Sequence, residues 1–168
     1  MKKICVIGPC GAGKSTLAKE IASILKIPLF HLDQLFWKEN WQSIGQDALK
    51  KKLVHVMETH TTWIIDGNYS SSLELRIAQA DTIIFLDYPR RIYFFRVLKR
   101  LLTNWGKVRD DMADGCVEKI DFDFLKFVWN FQHGSRIRVI EILNKYDTCQ
   151  QFMFTSPKQT KAFLQNLK

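Results

Sequence analysis

Short apolar runs alternate with longer amphipathic segments along the 168-residue chain. Five runs have the length and apolar character of buried strands: Lys3–Ile7, 28–32, 62–65, Thr82–Leu86 and 151–154. Six segments have the spacing of apolar positions that is typical of helices: Lys14–Leu25, Gln46–Thr59, 73–80, 90–102, 123–146 and 158–167. Strands that alternate with helices form parallel sheets with helices on both faces. The pattern and the length therefore predict a single α/β domain.

Polar residues stand at the ends of three predicted strands. Asp33, Asp66 and Asp87 follow the second, third and fourth apolar runs. Ligands of parallel α/β sheets bind outside the carboxyl ends of the strands, so we expect these acids near a binding site. His31 alternates with apolar neighbours and is predicted to be a buried strand histidine with a hydrogen-bond partner. Residues 103–121 lack clear periodicity and predict a long irregular insertion, which in compact domains is often a lid.

Charge and cysteine usage narrow the class of protein. The formal net charge of +8 predicts an anionic partner: nucleotide polyphosphate, nucleic acid or another phosphorylated ligand, with a solubilising basic surface as the alternative. The four cysteines lack CxxC spacing and predict reduced thiols. No apolar stretch approaches the roughly 20 residues of a membrane span, and no secretory signal precedes the first strand. We therefore expect a cytoplasmic protein that has no membrane partner.

The loop after the first strand, GPCGAGKST, carries the most specific chemistry. It matches GxxxxGK[ST] through Gly8, Gly13, Lys14 and Ser15, with Gly11 as a further glycine. Glycines let backbone N–H groups turn toward phosphate oxygens, and the following helix adds the positive end of its dipole. Lys14 is expected to bridge the β- and γ-phosphates of ATP, and the Ser15 hydroxyl to ligate Mg²⁺. The predicted nucleotide-binding residues of this loop are Gly8, Gly11, Ala12, Gly13, Lys14, Ser15 and Thr16.

A second acid is expected to hold Mg²⁺ through water. Asp66 and Asp87 both follow apolar strands, so their spacing does not separate them. Asp87 precedes YPRR, where a helix is predicted to begin, and is explained as a helix N-cap. Asp66 precedes Gly67 and has no such explanation. We therefore predict that Ser15 and Asp66 are the metal-side residues.

Several motifs resemble one branch of the P-loop kinases. WIIDGNY, IIFLDYPRRIYFFRVLKR and the phosphate loop together resemble the adenylate-kinase-like nucleotide kinases. HLDQLFW at 31–37 and GCVEKID at 115–121 are similar to the bacterial proteins labelled DNA topology modulation proteins. The resemblance implies a P-loop NTPase fold with a five-stranded parallel sheet of order 2-3-1-4-5. It further implies phosphoryl transfer, a lid at about 103–121 and an acceptor-binding segment at about 33–61.

The same resemblance implies roles for several arginines. Arg96 and Arg100 share one face of a predicted helix; Arg96 is expected near the adenine, and Arg100 at the phosphates. Arg109 in the lid, and Arg136 and Arg138 on the long helix after it, are candidates to reach the transferring phosphoryl group on lid closure. A solvated basic surface is the alternative for each arginine.

The acceptor side is expected around the second strand end. By resemblance to small-molecule kinases, Asp33 orients the acceptor hydroxyl or takes its proton; indirect magnesium ligation and a structural cap are the alternatives. Phe36, Trp37 and Trp41 offer a stacking surface for a flat acceptor, with core packing as the alternative. Ser70 stands where adenylate kinases carry an arginine for an acceptor monophosphate. This departure argues against specificity for a monophosphate. The expected acceptors of a nucleotide, nucleoside or small-molecule kinase thus include a nucleoside and other hydroxylated small molecules.

Three functions are consistent with these motifs. An ATP- and Mg²⁺-dependent kinase is favoured. A nucleic-acid-binding regulator switched by ATP is the second, although the chain lacks a recognition-helix or RNP-type signature. A slow ATP hydrolase that signals through lid closure is the third. The basic cluster that motivates nucleic-acid binding is Arg90, Arg91, Arg96, Lys99, Arg100, Lys107 and Arg109.

Overall fold

A central sheet of five parallel strands organises the structure, a computed structural model that describes residues 1–146 and 149–167. The strands are β1 (Lys3–Ile7), β2 (Leu29–His31), β3 (Trp63–Asp66), β4 (Thr82–Leu86) and β5 (Gln150–Phe154). Their order is β2-β3-β1-β4-β5, and every neighbouring pair is parallel. The predicted fold class and strand order are therefore confirmed.

The connections between strands contain helices of unequal length. The α-helices are α1 (Lys14–Leu25), α2 (Leu32–Phe36), α3 (Gln46–Thr59), α4 (Leu73–Ile77), α5 (Arg90–Thr103), α6 (Phe122–Asn130), α7 (Ser135–Leu143) and α8 (Pro157–Leu167). Short 3₁₀ helices cover Glu39–Trp41, Ser70–Ser72 and Phe131–His133. A small antiparallel hairpin pairs Trp37–Lys38 with Gln42–Ser43.

The core lies on both faces of the sheet. Ile4, Cys5, Val6 and Ile7 are all fully buried in β1, although successive strand residues point to opposite faces. Helices must therefore cover both faces, as parallel sheets require. α1 contributes Leu17, Ala18 and Ile21 to this core. These contacts fix the loop between β1 and α1 above the middle of the sheet.

Three predicted elements differ from the structure, of which the helix predicted over 73–80 is one, because it already ends at Ile77. The predicted helix over 123–146 is wrong: the chain forms α6, a 3₁₀ turn and α7, separated at Gly134, whose φ of −128° and ψ of −88° are not helical. Glycine weakens a helix because its unfolded backbone is the most flexible, so a break is least costly there. The predicted strand 28–32 is too long, because Leu32 already begins α2.

Candidate functional site

A cleft of about 1300 Å³ opens at the carboxyl ends of the strands. The phosphate loop, the strand-end residues Asp33 and Asp66, the inner side of α5 and the lid (residues 103–121) line it. The acceptor-binding segment (residues 33–61) contributes Trp37 and Trp41. Most of the predicted site residues thus meet in one space.

The glycines of the phosphate loop adopt left-handed backbone conformations. Gly8, Gly11 and Gly13 have φ values of 143°, 82° and 94°. A Cβ on Gly11 would lie 2.3 Å from the carbonyl oxygen of Tyr93 on α5. This glycine is therefore required by the contact between loop and helix as well as by φ. No side chain caps the N-terminus of α1, which leaves its first amides for an anion or solvent.

Polar groups of the loop face the cleft or brace it. Lys14, Ser15 and Thr16 line the cleft, and Lys14 Nζ donates to the carbonyl oxygen of Pro9 at 3.1 Å. Ala12 is buried, and its carbonyl oxygen accepts a hydrogen bond from Arg96 Nη1 at 3.2 Å. Arg96 therefore lies against the phosphate loop, on the nucleotide side of the cleft, where its predicted contact with adenine remains a prediction.

Asp66 is a buried carboxylate with one partner. Its Oδ2 lies 2.8 Å from Nδ1 of His31, its register neighbour across β2 and β3. Its Oδ1 is buried and has no hydrogen-bond partner among the described residues. Such an atom fits the second coordination sphere of a hydrated cation, so Ser15 and Asp66 together suit Mg²⁺ carried by nucleotide phosphates. His31 is the partnered strand histidine that its sequence context predicts.

Asp87 and Arg136 have a different role from the one expected. The N-cap interpretation of Asp87 is wrong, because α5 begins after Pro89 and no side chain caps it. Arg136 instead donates from Nε and Nη2 to the two carboxylate oxygens of Asp87, both at 2.7 Å. These hydrogen bonds raise the pKa of Arg136. Neither Arg136 nor Arg138 lines the cleft, so the structure does not bring Arg136 to the other predicted catalytic residues.

Arg100 and Arg109 converge on a residue that the sequence analysis missed. The buried carboxylate of Glu118 has Oε1 3.2 Å from Arg100 Nε and 2.7 Å from Arg109 Nε. Asp111 Oδ1 lies 3.3 Å from Arg109 Nη1. Burial lowers the pKa of Arg100, and the nearby Arg109 charge lowers it further. The sequence carried no clear signal for this role, because Glu118 is one of five acids in the insertion 103–121.

The acceptor side centres on Asp33. Tyr69 donates its hydroxyl proton to Asp33 Oδ1 at 2.7 Å. Burial raises the pKa of Asp33, and the Tyr69 hydrogen bond, Lys14 and Arg109 partly offset that rise. The Phe36 ring is buried and packs edge-on against Trp37 and Tyr69 at 4.9 Å, so for Phe36 the core-packing alternative holds. Trp37 and Trp41 remain as the aromatic lining.

The lid rests on the acceptor-binding segment. Trp41 Nε1 donates to the carbonyl oxygen of Val117 at 2.9 Å. Cys116 Sγ donates to the carbonyl oxygen of Lys38 at 3.1 Å, and the Asn40 amide donates to Gly115 O at 3.3 Å. Within the lid itself, the regular pairing is one isolated antiparallel bridge, between Val108 and Val117. The structure thus has a closed arrangement, in which the lid roofs the cleft.

Residues 1–146 and 149–167 contain neither a preformed metal cluster nor a helix that could span a membrane. No group of three or more His, Cys, Asp or Glu side chains forms a ready-made metal site there. No helix in those ranges combines the length and the apolar character needed to cross a bilayer.

The strand order, the phosphate loop and the roofed cleft define a P-loop kinase-like protein. A model of the ATPase family associated with various cellular activities (AAA) matches residues 4–88, just over half of the chain. The chain belongs to this family.

Known relatives are kinases of small molecules. An adenylate kinase of Clavibacter michiganensis is 27% identical over 66% of this chain and 54% of its own length. A shikimate kinase of Rhodococcus jostii is 29% identical over 62% of this chain and 68% of its own length. The chain thus matches about half of the adenylate kinase. A shikimate kinase structure from Acinetobacter baumannii, in complex with shikimate, superposes with a TM-score of 0.62 at 13% identity, over 99% of this chain and 90% of that one. At that identity the likeness concerns the fold alone.

Proposed function

We propose that the protein is a phosphotransferase that moves the γ-phosphoryl group of ATP, with Mg²⁺, to a hydroxyl group of a small molecule. One observation carries the proposal: the cleft beneath the lid is lined by both the phosphate-loop residue Lys14 and the half-buried acid Asp33. Lys14 is close enough to lower the pKa of Asp33, as expected if a donor phosphate and an acceptor hydroxyl meet between them. A protein that only binds a nucleotide as a switch does not require an acid such as Asp33 beside its phosphate loop.

In the proposed reaction the acceptor oxygen forms a bond to the γ-phosphorus of ATP. The bond from that phosphorus to the β,γ-bridging oxygen breaks, and ADP leaves. Asp33 takes the hydroxyl proton, and the Tyr69 hydrogen bond holds its carboxylate in place. Because the transferring group carries its charge on three oxygens, nearby cations contribute most of the catalysis.

Four groups are proposed to stabilise that charge. Lys14 bridges the β- and γ-phosphates, and Ser15 with Asp66 holds Mg²⁺, which neutralises phosphate charge when bound. Arg100 and Arg109 are two further cations that line the cleft, and Glu118 keeps their guanidinium groups together. The closed lid excludes water, which would otherwise compete with the acceptor for the phosphoryl group.

Finer assignments belong to the same proposal. The motifs HLDQLFW and GCVEKID favour membership of the group labelled DNA topology modulation proteins. We propose action in the cytoplasm, where ATP and reduced thiols are available. The acceptor is a metabolite or a nucleotide building block.

Binding of nucleic acid is the second candidate, because of the net charge of +8. The positions of the basic side chains argue against nucleic-acid binding. Arg100 and Arg109 face the cleft and contact Glu118, and Arg90 stacks on Trp129 at 4.5 Å. Arg91, Arg96, Lys99 and Lys107 remain exposed, and Arg96 also lines the cleft. Duplex binding with a steep decline of log K against log salt would support this candidate, and weak binding without that slope would dispose of it.

The test of the proposed function is ADP release with a panel of acceptors. ATP turnover is expected to accelerate when the correct acceptor is added. Lys14→Ala should abolish turnover, while Lys50→Ala, the same change at an exposed position of α3, should leave it intact. If no nucleoside, nucleotide or hydroxylated metabolite accelerates ADP release, the kinase proposal fails.

A further inference from the structure

We infer that the acceptor is an uncharged, hydroxylated molecule with a flat ring, a nucleoside rather than a nucleoside monophosphate or a hydroxy acid. The inference rests on the proposed function, since it concerns the acceptor end of the same cleft. It is carried by three independent observations on that end: its charge, its aromatic wall and one unpartnered amide oxygen.

The acceptor end has a negative lining without a free cation. Its residues are Asp33, Trp37, Trp41, Gln46, Asn68, Tyr69, Ser70 and Ser71. No lysine or arginine stands in that set, which belongs entirely to the described part of the chain.

Neighbouring arginines are already occupied. Arg76 is fully buried and donates to the carbonyl oxygens of Gly67, Tyr69 and Ser72. Arg109 is paired with Glu118 and Asp111. Lys14 and Arg109 act on Asp33 from the donor side of the cleft, whereas the lining around Trp37, Trp41 and Asn68 adds no lysine or arginine. A phosphate or carboxylate held in that lining would lose its hydration and gain no counter-ion of its own, which is unfavourable.

Two indole rings form a fixed wall. Trp37 and Trp41 lie 5.7 Å apart between ring centroids, with their planes at 71°. The hydrogen bond of Trp41 to Val117 O and the edge contact of Trp37 with Phe36 hold both rings in place. Burial and the Asp33 carboxylate raise the pKa of Tyr69, and a hydrogen bond with Trp37 partly offsets that rise, which places Trp37 next to the Asp33–Tyr69 pair. A flat ring that packs on this wall therefore brings its substituents to Asp33.

One polar atom at this end lacks a partner. Asn68 Oδ1 is buried and accepts no hydrogen bond from the described residues, and Asn68 lines the cleft beside Tyr69. A buried carbonyl oxygen of this kind is costly unless a donor reaches it. The N–H groups of a nucleobase or the hydroxyls of a sugar are such donors. The site therefore recognises neutral donors, while Asp33 receives the reacting hydroxyl.

The experiment compares matched acceptors. The probes are the common ribo- and deoxyribonucleosides, their 5′-monophosphates, and ribose and shikimate as ring-poor and acidic controls. Phosphorylation is followed with γ-labelled ATP, and binding by quenching of tryptophan fluorescence in the presence of Mg²⁺ and a non-hydrolysable ATP analogue. We expect at least one nucleoside to exceed its own monophosphate and both controls at least tenfold in kcat/KM.

The outcomes separate the two proposals. Faster phosphorylation of a monophosphate, ribose or shikimate would overturn the acceptor inference and leave the kinase intact. Saturable quenching by a nucleoside without phosphorylation of any probe would overturn the kinase and support the acceptor class. Neither quenching nor phosphorylation with any nucleoside would overturn the acceptor inference.

Two variants sharpen the test. Ser70→Arg installs a cation at the acceptor end and should shift the ratio of monophosphate to nucleoside kcat/KM upward by at least tenfold, while Ser23→Arg, on an exposed turn of α1, should not. Trp41→Leu should weaken nucleoside binding severalfold, whereas Trp105→Leu, at an exposed ring outside the cleft lining, should not. Equal effects of either variant and its control would overturn the inference.

Discussion

Replacement of Gly11 by alanine tests how the phosphate loop is held. Gly11 has φ +82°, which costs an L-residue about 1–2 kcal/mol. Its new Cβ would also lie 2.3 Å from the carbonyl oxygen of Tyr93 and 2.7 Å from Val97 Cγ2. Because a helix backbone cannot move aside like a flexible side chain, we add about 1–3 kcal/mol for overpacking.

Gly45→Ala is the matched control. Gly45 has φ +84°, but nothing lies within 4 Å of its would-be Cβ, so it carries only the backbone cost. The difference between the two variants therefore isolates the contact with α5. At about 2–4 °C per kcal/mol for a chain of this size, Gly11→Ala should melt about 2–12 °C below Gly45→Ala.

Thermal denaturation followed by circular dichroism measures this difference, and urea titration converts it to a free energy of unfolding. Calorimetry with ATP and MgCl₂ should also show weaker nucleotide binding for Gly11→Ala, since the loop must shift from α5. Melting temperatures of the two variants that agree within error would refute the claim that α5 constrains the loop.

Three further changes test the site. Burial raises the pKa of Asp33, so the folded state binds the carboxyl proton more tightly than the unfolded chain does. Above the folded pKa, the ionised carboxylate therefore lowers the free energy of unfolding. This loss of stability disappears as the pH falls below the pKa of Asp33 in the unfolded chain, which is about 4. Asp33→Asn should therefore raise the melting temperature at pH 7 but not near pH 4, and lower kcat about 10²- to 10⁴-fold. Arg136→Met leaves Asp87 unpaired and should lower the free energy of unfolding by about 1–3 kcal/mol, while kcat per folded molecule stays nearly unchanged. A hundredfold loss of kcat at normal stability would instead show that Arg136 is catalytic. A thiol reagent should modify Cys10, which lines the cleft, and ATP with Mg²⁺ should protect it. Cys5 should stay unmodified, because burial raises its pKa to about 11. Labelling of Cys10 at the same rate with and without ATP would contradict the nucleotide site.

Local patterns predicted the sheet and the phosphate loop well. β1 and β4 are continuous apolar runs, and GPCGAGKST contains its own chemistry within nine residues. The bounds of α1 and α3 also agree with the sequence, because helical periodicity is strong there. Features that depend on contacts between neighbours in the chain are therefore readable from it.

Contacts between distant residues were the ones missed. Asp66 and Asp87 have nearly the same local context, and only the tertiary fold, which brings α7 beside the end of β4, places Arg136 at Asp87. Glu118 gained its role from Arg100, which lies on another element. Arg76 is fully buried and donates to three backbone carbonyl oxygens. No local sequence pattern predicts that an arginine is buried in this way, so its role was missed.

The seam between lid and acceptor-binding segment has a consequence for how the protein changes its specificity. The indole N–H of Trp41 donates a hydrogen bond to a carbonyl oxygen of the lid, and the thiol of Cys116 in the lid donates one to a carbonyl oxygen of the hairpin. Two stretches that lie 76 to 78 residues apart in the chain thus shape one chamber together. A protein that evolves from this one toward a new acceptor must therefore change both stretches together. An acceptor enters or leaves only while the contacts between the lid and the acceptor-binding segment are broken.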